Sequence, residues 1–66
     1  MKLRELRISQ RITQDDLTEL SGISIRTIRN VESGSHPPSV ETMLKVSKAL
    51  GLELADIDEF KQRITV

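Results

Sequence analysis

Three stretches of this 66-residue chain open on a hydroxyl side chain and close on a glycine: Thr13 to Gly22, Ser24 to Gly34 and Ser39 to Gly51. A Ser or Thr oxygen accepts from a first-turn amide that a helix leaves unpaired, and glycine turns the chain beyond a helix end without a Cβ clash. Between these marks the apolar residues recur at helical spacing, with no period-two alternation until the last few residues. A chain punctuated this way is expected to fold as short helices with tight connections, an all-α domain.

The first helix is expected from about Lys2 to Gln10, with Leu3 and Leu6 on its apolar stripe and Arg7 beside them. Thr13 caps a second helix, Gln14 to Leu20, whose Asp15 and Asp16 suit the positive end of the helix dipole and whose Leu17 and Leu20 form its buried face. Gly22 sits at a sharp turn, Ile23 follows as a buried plug, and Ser24 caps a third helix from Ile25 to about Glu32, stopped by Ser33 and Gly34. His36, Pro37 and Pro38 form an extended loop, because a residue before proline is pushed out of helical geometry. Ser39 caps the fourth helix, with Val40, Met43, Val46 and Leu50 at core spacing up to Gly51. Leu52, Leu54, Ile57 and Phe60 mark a short fifth helix and its approach. Residues 1–60 thus read as one domain and residues 61–66 as a tail. The alternation in Arg63-Ile64-Thr65-Val66 favours either a frayed end or a strand-like hook that joins two subunits, with Leu54, Ile57 and Phe60 sharing the interface.

Composition limits what such a domain can do. A chain of this size buries only about 60% of its unfolded surface, so association with a second copy would help it. There is no cysteine, which excludes disulfides and thiolate zinc sites. No apolar run approaches the roughly 20 residues that span a bilayer, and no basic-then-apolar leader is evident, so a cytoplasmic location is expected. No phosphate-cradling glycine loop, no serine–histidine constellation and no metal-ligand spacing is found, so neither an enzyme nor a cofactor is expected. The lone His36 reads as an exposed loop residue within reach of a phosphate at most, and Asp56, Asp58 and Glu59 as a solvated acidic face. Phe60 is the sole aromatic residue, which disfavours single-strand binding by base stacking.

Net charge is zero, an unpromising sum for a nucleic-acid partner. Its distribution is more informative. The stretch from Ser24 to Val31 carries Arg26 and Arg29 and no acid, while the acids concentrate towards the end of the chain. On a wheel of about 100° per residue, Thr27, Ile28 and Val31 turn one way and Ile25, Arg26, Arg29, Asn30 and Ser33 the other. Arginine pairs with the O6 and N7 of guanine, asparagine with the N6 and N7 of adenine, and an apolar tip touches the thymine methyl. Two arginines on a helix are as compatible with a plain solvated face. The exposed isoleucine beside them and the short capped helix before them bring the two readings level.

The order of motifs adds to this. Leu3-Arg4-Glu5-Leu6-Arg7, Thr13-Gln14-Asp15-Asp16-Leu17, Gly22-Ile23-Ser24, Thr27-Ile28, Val31-Glu32-Ser33-Gly34, Pro38-Ser39-Val40-Glu41-Thr42-Met43 and Ala49-Leu50-Gly51-Leu52 follow one another along residues 3–57. In that order they resemble the phage repressor/Cro-like, or XRE-type, helix-turn-helix family. The resemblance implies a compact five-helix, lambda-repressor-like DNA-binding domain. It implies base reading by Ile25, Arg26 and Asn30, and backbone or flanking contacts by Gln14, Arg29 and Ser33. It also matches Arg7 and Glu32 to a structural ion pair, which Glu32 needs in any case because it follows core-facing Val31 and is costly to bury alone. Two positions depart from the family pattern. Thr18 stands where alanine is usual against the motif turn, and Glu53 where a Ser or Thr cap is common.

The resulting expectation is a transcriptional regulator that binds double-stranded DNA sequence-specifically. It would act as a homodimer, most simply a repressor, on a near-palindromic operator with half-sites about 34 Å apart. Two rivals are an antitoxin whose acidic Glu53–Glu59 stretch and apolar tail hold a toxin protein, and a controller protein of a restriction-modification system.

Overall fold

The computed structural model describes residues 1–60, so the tail and any hook within it lie outside the described residues. These form four α-helices, α1 (Leu3–Ser9), α2 (Gln14–Ser21), α3 (Ile25–Ser33) and α4 (Val40–Leu50), followed by a single 3-10 turn at Leu54–Asp56. Residues 58–60 are again helical, and there is no strand among the described residues. The all-α expectation holds, with the fifth helix split into the 3-10 turn and this last helical stretch.

The three predicted caps are made. Thr13, Ser24 and Ser39 accept from the amides of Asp16, Thr27 and Thr42. At α2 the bond is reciprocal: the Asp16 amide donates to Thr13 Oγ1 at 3.0 Å, and the Thr13 amide donates to Asp16 Oδ2 at 3.0 Å. Gly22 ends α2 at φ 75°, where its amide donates to the Thr18 carbonyl at 2.9 Å. The end of α1 carried no such signal. Arg11 adopts the left-handed conformation there without being a glycine, at φ 58°. The Ile12 amide then donates back to the Arg7 carbonyl at 3.0 Å, so the last turn is closed despite the local strain.

α2 packs against both α3 and α4. The core is filled by Leu3, Leu6, Leu17, Ile23, Ile28, Val31, Met43, Val46, Leu50, Ile57 and Phe60, with Ile12, Ala49, Leu52 and Leu54 packed against it. Two expected core residues face outward. Leu20 is 59% exposed and Val40 60%. On α2 the inward face runs through Gln14, Leu17, Thr18 and Ser21, which turns Leu20 away from it. On α4 the buried set is Thr42, Met43, Val46, Ser47 and Leu50, leaving Val40 on the outer side at the first helical position.

The segment after α4 also differs from expectation. Ile57 and Phe60 are fully buried in the protein's own core and are not available to an intersubunit contact. Asp58 and Glu59 are half-buried and engaged within the chain instead of forming a solvated acidic face. Glu59 Oε1 accepts from the Leu3 amide at 2.8 Å, and Asp58 Oδ1 lies 3.1 Å from the Met1 amino group. Two carboxylates thereby serve the start of α1, where unpaired amides and the helix dipole favour negative charge. At the other end of α1 the Gln10 side chain donates to the Leu50 carbonyl at 3.0 Å and joins α1 to α4.

Candidate nucleic-acid interface

The turn between α2 and α3 is only three residues, Gly22 to Ser24. Ile23 is driven into the core between them, and Ser24 starts α3 at once, so both helices are fixed by the same short segment. Ile28 and Val31 hold the inner side of α3. Its outer side carries Arg26, Arg29 and Ser33, all exposed, with Ile25 and Asn30 half-buried along its margins. Ile25 is therefore less open than the wheel suggested. Thr27 is also half-buried, its hydroxyl 2.9 Å from that of Ser24.

The single acid of α3 is neutralised from another helix. Arg7 Nε donates to Glu32 Oε2 at 2.9 Å and Arg7 Nη2 to Glu32 Oε1 at 3.2 Å, with side chains 10% and 8% exposed. Arg7 Nη1 donates in addition to the Ile12 carbonyl at 2.9 Å. The guanidinium fork suits this planar pairing, and a third N–H is used on the backbone. With Glu32 matched by Arg7, the two guanidinium charges of Arg26 and Arg29 set the sign of the outer face of α3.

The pairing extends to α2. Gln14 Nε2 donates to Glu32 Oε1 at 3.2 Å, and Arg29 Nε donates to Gln14 Oε1 at 3.4 Å. A relay of four side chains thus runs from α1 through α3 and α2 back to α3. It was not legible in the sequence beyond the Arg7–Glu32 pair, because each link joins residues 15 or more positions apart. The relay lines an open groove of about 690 Å³ between the three helices, to which Arg4, Ile25 and Ser33 also contribute. The sequence patterns alone do not single out Arg4. Its place three residues before Arg7, on the same side of α1, was the available signal. Ser33 keeps its hydroxyl within the local turn, donating to the Asn30 carbonyl at 3.2 Å.

The family model described as helix-turn-helix matches residues 3–57, spanning all four helices and the 3-10 turn. The chain belongs to the helix-turn-helix family. In that motif the second helix is the one placed in the DNA major groove. Here the motif pair is α2 and α3. The chain is similar to an uncharacterized HTH-type transcriptional regulator of Methanocaldococcus jannaschii, 36% identical over 56 residues, 85% of each chain. A second such regulator, YgzD of Bacillus subtilis, is 32% identical over 56 residues, again 85% of each chain. The cryptic phage CTXphi transcriptional repressor RstR of Vibrio cholerae is 29% identical over 56 residues, 85% of this chain and 50% of that protein. No solved structure matches the chain. The family is one of transcription regulators and not of enzymes. No helix among the described residues is long and apolar enough to cross a membrane.

Proposed function

We propose that the helix-turn-helix domain is a transcriptional regulator that binds double-stranded DNA sequence-specifically as a homodimer, and that it represses by occupying a near-palindromic operator. The observation that carries this reading is the outer face of α3, which presents Arg26, Arg29 and Asn30 beside Ile25 while its acid is held by Arg7. Arg26, Asn30 and Ile25 take the base edges. Gln14, Arg29 and Ser33 take the backbone or flanking positions and set the register. A two-fold dimer places its two α3 helices in successive major grooves about 34 Å apart. Repression is supported by the likeness to the transcriptional repressor RstR of Vibrio cholerae, and a target in promoter DNA implies a cytoplasmic location.

The test is a selection of bound sequences from random duplex DNA at low salt, run in parallel with the Arg26→Ala/Asn30→Ala variant. Enrichment of a palindromic motif by the natural chain alone is the expected result. Equal enrichment by both chains removes α3 from the reading, and no enrichment by either removes DNA as the target.

A further inference from the structure

The proposed dimer needs a contact surface, and among the described residues after α4 Ile57 and Phe60 are enclosed in the core and do not supply it. On α4 the situation is reversed. Val40 and Leu44 are 60% and 53% exposed. One turn apart, they form a single apolar stripe along the outer side of the helix. Beside that stripe lies a charged one. Lys45 Nζ is 2.9 Å from Glu41 Oε1, and both residues are exposed.

We propose that this face of α4 is the site at which a second copy of the chain docks, with the two α4 helices antiparallel about a two-fold axis. The proposal rests on the dimeric reading above and names its interface. The argument is one of charge and register. A two-fold contact is self-complementary, so every residue must find its match on the same patch. An axis level with Thr42 and Met43 sets Val40 towards Leu44 of the second copy. Within one residue's rise of about 1.5 Å it also sets Glu41 towards Lys45 of the second copy. Both matches occur twice. In an antiparallel pair the same flank of each helix meets its counterpart, so the Glu41–Lys45 stripe meets itself with opposite signs opposed. In a parallel arrangement opposite flanks meet, so the Glu41–Lys45 stripe would find no counterpart. The stripe is short compared with the roughly 1,200 Å² of a stable interface, so the dimer is weak alone and is consolidated on DNA.

The closing experiment measures sedimentation of the chain alone at high concentration, and titration of the selected full duplex against a duplex holding one half-site. Val40→Glu/Leu44→Glu opposes like charges across the axis while keeping the helix supported through Lys48, four residues after position 44. This variant is expected to sediment as a monomer. It should bind the half-site as the natural chain does, and lose at least about tenfold on the full duplex. Glu41→Lys and Lys45→Glu are each expected to weaken association, and the two together to restore it. Retained association and full-duplex affinity in Val40→Glu/Leu44→Glu overturns this interface while leaving DNA reading by α3 intact. A natural chain that stays monomeric and binds the full duplex one to one overturns the interface and the dimer together. Failure of the random-duplex selection is a separate event: the interface then stands if the natural chain self-associates at high concentration and Val40→Glu/Leu44→Glu does not, and falls otherwise.

Discussion

The Arg7 guanidinium grips both carboxylate oxygens of Glu32 across the space between α1 and α3, at 2.9 and 3.2 Å, in surroundings that leave each side chain about one-tenth or less exposed. A buried pair of this kind gains little against apolar replacements, yet losing one member strands the other charge. Arg7→Ala is therefore expected to cost about 3–5 kcal/mol. For a chain of this length the whole reserve is roughly 3–10 kcal/mol, so the variant should sit near its unfolding midpoint at ambient temperature. Arg7→Met/Glu32→Leu should melt higher than either single change. Urea unfolding followed by circular dichroism measures all three, and an unchanged midpoint for Arg7→Ala would show that the pair is not built into the fold.

Gln14 joins that pair to the outer side of α3, donating to Glu32 and accepting from Arg29. The Arg29 link is 3.4 Å long and open to solvent, hence weak in the free chain. On the proposed interface, a bound duplex would exclude water and strengthen the same contact. Gln14→Ala should then lower stability by only about 0.5–1.5 kcal/mol. It should weaken duplex binding clearly, and less so in an Arg29→Ala background, with a coupling of about 0.5 kcal/mol or more. Additive losses in that double-mutant cycle would mean that the two residues act on DNA independently.

How much of this was legible in the sequence depends on the range of the interaction. The caps at Thr13, Ser24 and Ser39 and the turn at Gly22 are local chemistry, present in the fold and legible in the sequence. The left-handed Arg11 was not, because nothing about an arginine announces positive φ. Leu20 and Val40 have the hydrophobicity and a spacing that suit the core, but on short helices one step of phase is enough to turn a leucine or valine outward. Asp58 and Glu59 read as a surface run in the sequence because their partners, Met1 and Leu3, lie at its opposite end. The Arg7–Glu32 contact, also long-range, was legible only because a glutamate beside a core position needs a cation and the family resemblance supplied one.

The reciprocal cap at the start of α2 has a consequence in acid. The Thr13 amide that donates to the Asp16 carboxylate, aided by the Thr13 side chain, holds the Asp16 carboxyl below its ordinary value. A folded-state value below the unfolded one means that the ionised carboxylate stabilises the fold. That contribution is complete above the ordinary carboxylate range and disappears as pH falls through the lowered folded value. The melting-temperature advantage of the natural chain over Asp16→Asn should thus be constant near neutrality and shrink below about pH 4. A difference that stays flat down to acid unfolding would mean that the cap does not depend on the charge of Asp16.

Thr18 is the position on α2 where side chain and surroundings disagree. Its hydroxyl oxygen is buried and has no hydrogen-bond partner among the described residues, while its backbone carbonyl receives the Gly22 amide at 2.9 Å. A hydroxyl removed from water without a partner costs on the order of 1–3 kcal/mol, and the methyl group of the same side chain recovers about 0.8 kcal/mol through burial. Valine keeps the shape and the β-branching while replacing the hydroxyl with a second methyl. Thr18→Val is therefore expected to raise stability by about 1–2 kcal/mol. Thr18→Ala gains roughly 0.5 kcal/mol in helix propensity but gives up the buried methyl, and should fall between valine and the natural chain. Since neither change touches the outer face of α3, duplex affinity measured at a temperature where all three are folded should be unaltered. Lower stability for Thr18→Val would reveal that the hydroxyl is hydrogen-bonded in solution. A gain in stability with a loss of DNA binding would show that Thr18 sets the angle between α2 and α3 that docking requires.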